Sequence, residues 1–281
     1  MIVVPRRLSL TALTGSARAA LVVGLLGTGT AAASFALLLS AGGPPAASGP
    51  ASAATSGALA SPAVALARPS ATPSATRDQI AASTELATVR ASAARYASPG
   101  RLAAGTVPAS WYERPSVLPV IATRPGWVEV RMAQRPNEST AWLPAKDVTL
   151  SSTPYEIVVN LASTRLSLYD DGQLVFSAPA GVGASGDPTP AGHYFVAFDE
   201  PPPPGNPGYG PFILVTSAHS PAISDWEGSG DAVIGIHGPL GADSQIGTSG
   251  AKISHGCIRL HDQALERLTA VPAGTPIDVV A

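Results

Sequence analysis

The sequence predicts a mostly β protein whose main domain carries one short helix. Three observations carry this. From Val107 onward, apolar residues fall in short β-rich runs separated by Pro, Gly, Asn and Asp, the pattern of strands and turns. Leu166 and Leu168, then Leu174 and Phe176, alternate on either side of Asp170-Asp171-Gly172, a tight-hairpin signal because such turns need residues that tolerate positive φ. In the main domain the spacing becomes helical from Asp262, with Leu265 and Leu268 on one face and Asp262 placed to cap the helix.

The elements follow in order. Arg6, Arg7 and Arg18 precede an uncharged apolar stretch, Ala19–Ser40, and no charge appears again before Arg68. Such a stretch exceeds a signal-peptide core of about 7–15 residues and approaches the ~20 that span a bilayer. Residues 1–41 are therefore expected to be a signal-anchor or signal peptide. A retained single-pass membrane anchor is preferred to cleavage near Ala51-Ser52-Ala53, and the flanking positive charge sends the rest of the chain outward. The working part then lies in the cell envelope, outside the cytoplasm. Residues 42–104 read as an Ala/Pro/Ser-rich linker, because Gly42 to Thr76 has too few large apolar side chains to offset the entropy of ordering. A faint helical spacing follows in Ile80, Leu86, Val89 and Tyr96.

Residues 105–152 hold Trp111, Val117, Leu118, Val120 and Trp127, punctuated by Arg124-Pro125-Gly126 and Arg135-Pro136-Asn137. Gly126-Trp127-Val128-Glu129-Val130, Ala141-Trp142-Leu143-Pro144 and Asp147-Val148 resemble a bacterial SH3-like module. The other reading is a β-arm packed on the next domain, since so small a unit is hard to stabilise alone. The main domain is expected over 154–281. Its strands are Ile157–Leu161, the hairpin around Asp171, His193–Phe198, Phe212–Thr216, Val233–His237 and Ile277–Val280, with a Pro/Gly-rich loop over Glu200–Pro211.

Charged residues make up 13% of the chain, the net charge is −2, and no basic run is interleaved with aromatics, which argues against nucleic acid as a partner. The chain has 1 cysteine, Cys257, so it cannot form an internal disulfide, and outside the cytoplasm such a thiol is an oxidation hazard unless it has a task. The thiolate is the nucleophile, and a histidine within reach can take its proton and later return it to a leaving amine. His255 lies two residues before Cys257, on the same side of an extended segment but splayed away from it. His237 ends an expected strand, and the chain between it and Ser254 is long enough to bring two strand ends side by side, which makes His237 the better base. Gly256 lets a substrate carbonyl approach and can aim the Gly256 and Cys257 N–H groups at a developing oxyanion.

At these residues the chain resembles the L,D-transpeptidases with a YkuD-type catalytic domain, whose signature is a histidine, a spacer, then Ser/Thr-His-Gly-Cys. His237, Ser254, His255, Gly256 and Cys257 match it in order. Pro188-Thr189-Pro190-Ala191-Gly192 and the Val159-Asn160-Leu161 and Leu166-Ser167-Leu168-Tyr169 segments extend the resemblance. Arg259 departs from it, standing where the family often has asparagine. The resemblance implies a β-sandwich-like domain that acts on peptidoglycan stem peptides without metal or cofactor. Cys257 would attack the third residue of a donor tetrapeptide, and the acyl group would pass to a diamino-acid amine, making a 3→3 cross-link. His237 would be base and acid, and the Gly238 carbonyl would orient it. Carbapenem-type β-lactams would acylate the cysteine. Ser254 is expected to order the loop, and His255 to shape the oxyanion site or hold the loop. Arg259 could grip a stem carboxylate or form a structural ion pair, and Tyr209 could belong to a substrate-covering loop. Competing readings are an L,D-carboxypeptidase or lipoprotein-attaching variant, a non-catalytic wall-binding protein, a sortase-like enzyme, and zinc held by His237, His255, Cys257 and His261. The sortase pattern keeps a far longer His-to-Cys separation than this chain has.

Overall fold

The computed structural model describes residues 80–226, 228–248 and 251–281. The apolar segment Ala19–Ser40 and the Gly42–Thr76 tether lie outside the described residues. Among the described residues, no helix is long and apolar enough to cross a membrane.

The first sheet uses β1 (Thr84–Val89), β2 (Ser92–Tyr96) and β3 (Ala103–Pro108). A small ribbon, β4 (Ser110–Trp111) with β5 (Arg114–Pro115), interrupts it. It resumes with β6 (Val117–Arg124), β7 (Trp127–Arg131), β8 (Thr140–Pro144) and β9 (Val148–Thr153). Its 7 strands lie in the order β3-β2-β8-β7-β6-β1-β9. Within the stretch expected as linker over 42–104, Thr84–Val89, Ser92–Tyr96 and the start of β3 are strands, so Leu86, Val89 and Tyr96 stand on strands, not on a helix. The reason is pairing. β1 is an inner strand, hydrogen-bonded antiparallel to β6 on one side and to β9 along its whole length on the other. Leu86 and Ala87, on opposite faces, are both buried while Glu85 is exposed, so the strand lacks the polar–apolar alternation that would have marked it.

The second sheet contains β10 (Tyr155–Asn160), β11 (Arg165–Asp170) and β12 (Gln173–Pro179). Next come the short β13 (Val182–Gly183), then β14 (Gly192–Glu200), β15 (Ile213–His219) and β16 (Val233–His237). The chain ends with β17 (Lys252–Ser254), β18 (Ile258–Arg259), the helix α1 (Asp262–Glu266) and β19 (Pro276–Val280). The 8-stranded order is β12-β11-β10-β19-β14-β15-β16-β18, while β13 and β17 pair separately. The β11–β12 hairpin forms where expected: Asp170 pairs with Gln173 across Asp171 and Gly172, whose φ values are 50° and 72°. Two consecutive positive φ angles are what a tight hairpin with right-handed twist needs. Asp262 is not the cap of α1. His261 holds that position without a side-chain cap bond, and Asp262 is the first helical residue, where its charge still suits the helix N-terminus.

The strands β14, β15 and β16 are buried on both faces, and their alternation assigns one face to each of two cores. Tyr194, Val196, Leu214, Ile234 and Ile236 join Ile157, Leu166, Cys257, Leu265 and Ile277 in the core of the second sheet. Phe195, Ala197, Ile213, Val215 and Val233 point the other way, against Val89, Leu118, Val130 and Leu143 of the first sheet. A bulge between Val196 and Phe198 turns Phe198 to that side as well. The first sheet thus completes its core with residues of the second. Removing one such anchor, Phe195→Ala, is expected to cost about 3–5 kcal/mol.

Candidate active site

The site is built where three short strands stop. β16 ends at His237 and runs parallel to β18, with Ile236 beside Ile258 and His237 beside Arg259. β17 runs parallel to β13, bringing Ser254 beside Gly183. The turn from Ser254 to Cys257 is therefore pinned on both sides.

Its internal bonds are short. Ser254 Oγ donates to the Cys257 carbonyl at 2.6 Å and accepts the Gly256 N–H at 3.1 Å. Ser254 orders the loop by these bonds. Thr189 Oγ1 donates to the Gly256 carbonyl at 2.7 Å and accepts the Gly183 N–H at 2.9 Å. Gly183 has no room for a side chain, since a Cβ there would lie 2.3 Å from the Thr189 nitrogen and 2.4 Å from the Asp187 carbonyl oxygen. Gly256 sits at φ 119°, which an L side chain rarely adopts. The expectation that both Gly256 and Cys257 N–H groups face an oxyanion needs correction: the Gly256 N–H is already engaged by Ser254 Oγ.

Cys257 is fully buried, and its Sγ accepts the Gly235 N–H at 3.3 Å. Burial pushes the thiol pKa up, while the nearby His237 side chain is among the groups that pull it down. His237 is also buried. Its Nδ1 lies 2.7 Å from the Gly238 carbonyl oxygen. A carbonyl can only accept, so Nδ1 carries the proton and Nε2 is left as the basic nitrogen. Nε2 has no hydrogen-bond partner among the described residues.

The Glu200–Pro211 loop reaches this histidine. The Tyr209 ring packs on the His237 ring with centroids 4.7 Å apart, and the Tyr209 carbonyl accepts the Gly238 N–H at 2.7 Å. A Cβ on Gly238 would fall 2.6 Å from the Gly210 nitrogen. His255 is exposed, with its ring 5.4 Å from that of Trp226. Arg259 exchanges two backbone hydrogen bonds with Gly181, each 2.8 Å, and its Nε is buried without a hydrogen-bond partner.

Cys257, His237, Gly238, Tyr209, Ser254 and Gly256 thus form one cluster, with His255 and Arg259 on its flanks. Two further residues belong to it. Thr189 was visible only as part of a Pro-Thr-Pro turn, and its role as the pin of the Gly256 carbonyl had no local signal. Trp226, in the loop after β15, had none. Among the described residues, no three His, Cys, Asp or Glu side chains converge as a metal site; His261 instead meets Asp243 at 2.9 Å.

A buried thiol near a buried histidine, on a mostly β frame, is an arrangement that nucleophilic catalysis can use. Residues 154–279 match the YkuD family of L,D-transpeptidase catalytic domains, and they form a domain of that family. The YkuD protein of Bacillus licheniformis is 32% identical over 127 residues, which span 45% of this chain and 66% of that protein, just under two thirds of its length. Among solved structures, an L,D-transpeptidase from Mycobacterium smegmatis aligns at 23% identity and a TM-score of 0.35, covering 58% of this chain and 81% of that one. L,D-transpeptidase 3 from Mycobacterium tuberculosis, in complex with a faropenem-derived adduct, aligns at 17% identity and 0.36, covering 55% and 91%. The family assignment rests on the sequence match.

Proposed function

We propose that this chain is a peptidoglycan L,D-transpeptidase that makes 3→3 cross-links through a Cys257 acyl-enzyme. The observation that carries the reading is the His237 arrangement: Nδ1 fixed by the Gly238 carbonyl at 2.7 Å and Nε2 left free, with the ring acting on the buried Cys257 thiol. His237 takes the thiol proton, and the thiolate attacks the carbonyl carbon of the third residue in a donor tetrapeptide. The tetrahedral oxyanion draws on the Cys257 N–H, since the Gly256 N–H is engaged. Collapse breaks the peptide bond, and His237 returns its proton to the departing D-alanine amine. An acceptor amine then attacks the thioester, gives a proton to His237, and releases Cys257 with a new amide bond formed. Arg259, beside His237 at the end of β18, holds a stem carboxylate, and Tyr209 packs on the His237 ring.

Incubating the soluble form with disaccharide tetrapeptide fragments and weighing the products tests this. A dimer lighter than two monomers by one D-alanine is expected. Tripeptide alone would make the chain a carboxypeptidase. The same thiolate should open the strained carbonyl of a carbapenem-type β-lactam, adding one drug mass to the wild type and none to Cys257→Ser. We also propose that Ala19–Ser40 holds the enzyme at the outer face of the membrane. Carbonate-resistant membrane fractionation is expected, whereas a mature N-terminus near Ala53 would show a secreted enzyme.

A further inference from the structure

The Trp226 loop is held by a residue from the other half of the chain. After β15, residues 220–231 are rich in Ser, Gly and Asp, and most are exposed. Trp226 and Ile223 pack against the second core, and the Trp226 ring lies over His255, two residues from the nucleophile. The loop's own bonds are local. Ser220 N donates to the Ala232 carbonyl at 2.8 Å and Ser220 Oγ accepts the Ala222 and Ile223 N–H groups, while Trp226 N donates to the Asp231 carbonyl at 2.9 Å, Ser229 Oγ to the same carbonyl at 2.6 Å, and Gly230 N to Asp225 Oδ1 at 2.8 Å. An exposed loop of this composition belongs to the low-stability end of a structure.

Arg135, from the turn between β7 and β8, ties it together. Its Nη1 donates to the Ser220 carbonyl at 3.0 Å, its Nη2 to the Ile223 carbonyl at 3.0 Å and its Nε to Asp231 Oδ1 at 2.9 Å. One guanidinium therefore grips both stems of the loop and the segment leading to Trp226. Asp231 is held in turn by His219, whose Nδ1 lies 2.9 Å from Oδ2, and by the Ala232 N–H at 2.7 Å. Asn137, two residues on, donates to the His219 carbonyl at 2.8 Å and accepts the His219 N–H at 2.9 Å. Lysine cannot make all three bonds together, because its single ammonium lacks the fork of donors that spans these acceptors.

We propose that Arg135 is a positioning residue for substrate: it fixes the Trp226–His255 wall beside the Cys257 cleft, so that the amino-terminal sheet sets how well donor stems bind. This rests on the transpeptidase reading. The Cys257–His237 pair is held separately, by Gly235, Gly238, Ser254 and Thr189, so the clamp governs binding rather than the chemical step.

The test uses the chain carrying both sheets, as wild type, Arg135→Ala, Arg135→Lys, Trp226→Ala and the Arg135→Ala/Trp226→Ala pair. Losing charge-assisted bonds to the loop should raise the KM for donor tetrapeptide about tenfold in Arg135→Ala, with kcat and its pH profile unchanged. Arg135→Lys should fall between, and the double variant should show no more than the larger single effect, because both changes act through one wall. Hydrogen exchange should speed up over residues 220–231 and nowhere near β18. Unchanged exchange in that loop, additive KM effects, or a fall in kcat with KM unmoved would each overturn the proposal. If the wild type turns over no tetrapeptide, the transpeptidase reading fails, and the exchange experiment alone judges the clamp.

Discussion

Two histidines sit at opposite ends of one strand pair, and their surroundings differ in a single respect that separates support from chemistry. β15 ends at His219 and its antiparallel neighbour β16 ends at His237. Both are buried. His219 meets the Asp231 carboxylate, which also carries Arg135, so its ring is locked into a charged cluster. Burial holds its pKa below the ordinary 6.5 against the pull of Asp231. His237 instead meets a backbone carbonyl on Nδ1, while Nε2 of both rings lacks a hydrogen-bond partner among the described residues. A carbonyl orients the ring without adding a charge, so the open nitrogen can accept a proton and give it up. Burial alone would not have told the two apart.

The comparison can be broken most severely at the thiol. Cys257→Ala is expected to abolish transfer to acceptor stems while circular dichroism and melting stay close to wild type. Full turnover by this variant would remove the site altogether. Next in size, His237→Ala should lower kcat by about 10²–10⁴-fold, the usual worth of general acid–base help, whereas His219→Gln should leave kcat nearly intact and lower the melting temperature. Equal kcat losses at both positions would erase the distinction between them. Gly238→Ala comes third. Its Cβ would fall 2.6 Å from the Gly210 nitrogen, so the Tyr209–Gly210 backbone must shift, with an expected stability loss of about 1–3 kcal/mol measured by urea unfolding.

The smallest effect is a pH dependence at the supporting end. Because the folded pKa of His219 is depressed, the unfolded chain takes up this proton first as pH falls. The stability contributed by neutral His219 is therefore complete above about pH 6.5 and declines as pH drops below it. Asp231, also depressed, acts in the same direction at lower pH. Melting temperature against pH should fall less steeply below this range in His219→Gln than in wild type, and parallel curves would count against the cluster.

Local signals explain what the sequence revealed. The Asp171-Gly172 turn demands positive φ, and the His237-to-Cys257 arrangement needs only two strand ends side by side, so both were legible. β1 and β2 were not, because buried neighbours such as Leu86 and Ala87 fall on opposite faces of β1 and its residues carry no alternation. Thr189 reaches Gly256 across 67 positions, and Arg135 reaches Ile223 across 88. No pattern within a short window records such partners. The engagement of the Gly256 N–H by Ser254 is a matter of backbone angle, which residue type permits but does not specify.

The place of β19 has a consequence for the order in which the molecule comes into being. The last strand of the chain is not at the sheet's edge. It lies between β10, to which it runs parallel, and β14, to which it runs antiparallel. Until Pro276–Val280 has left the ribosome, β10 and β14 have no common neighbour, and the sheet is two separate pieces. The strand that carries His237 hangs from one of those pieces, through β15 and β14. The strand ends that carry His237 and Cys257 therefore belong to a sheet that is joined into one piece only when Pro276–Val280 inserts between β10 and β14.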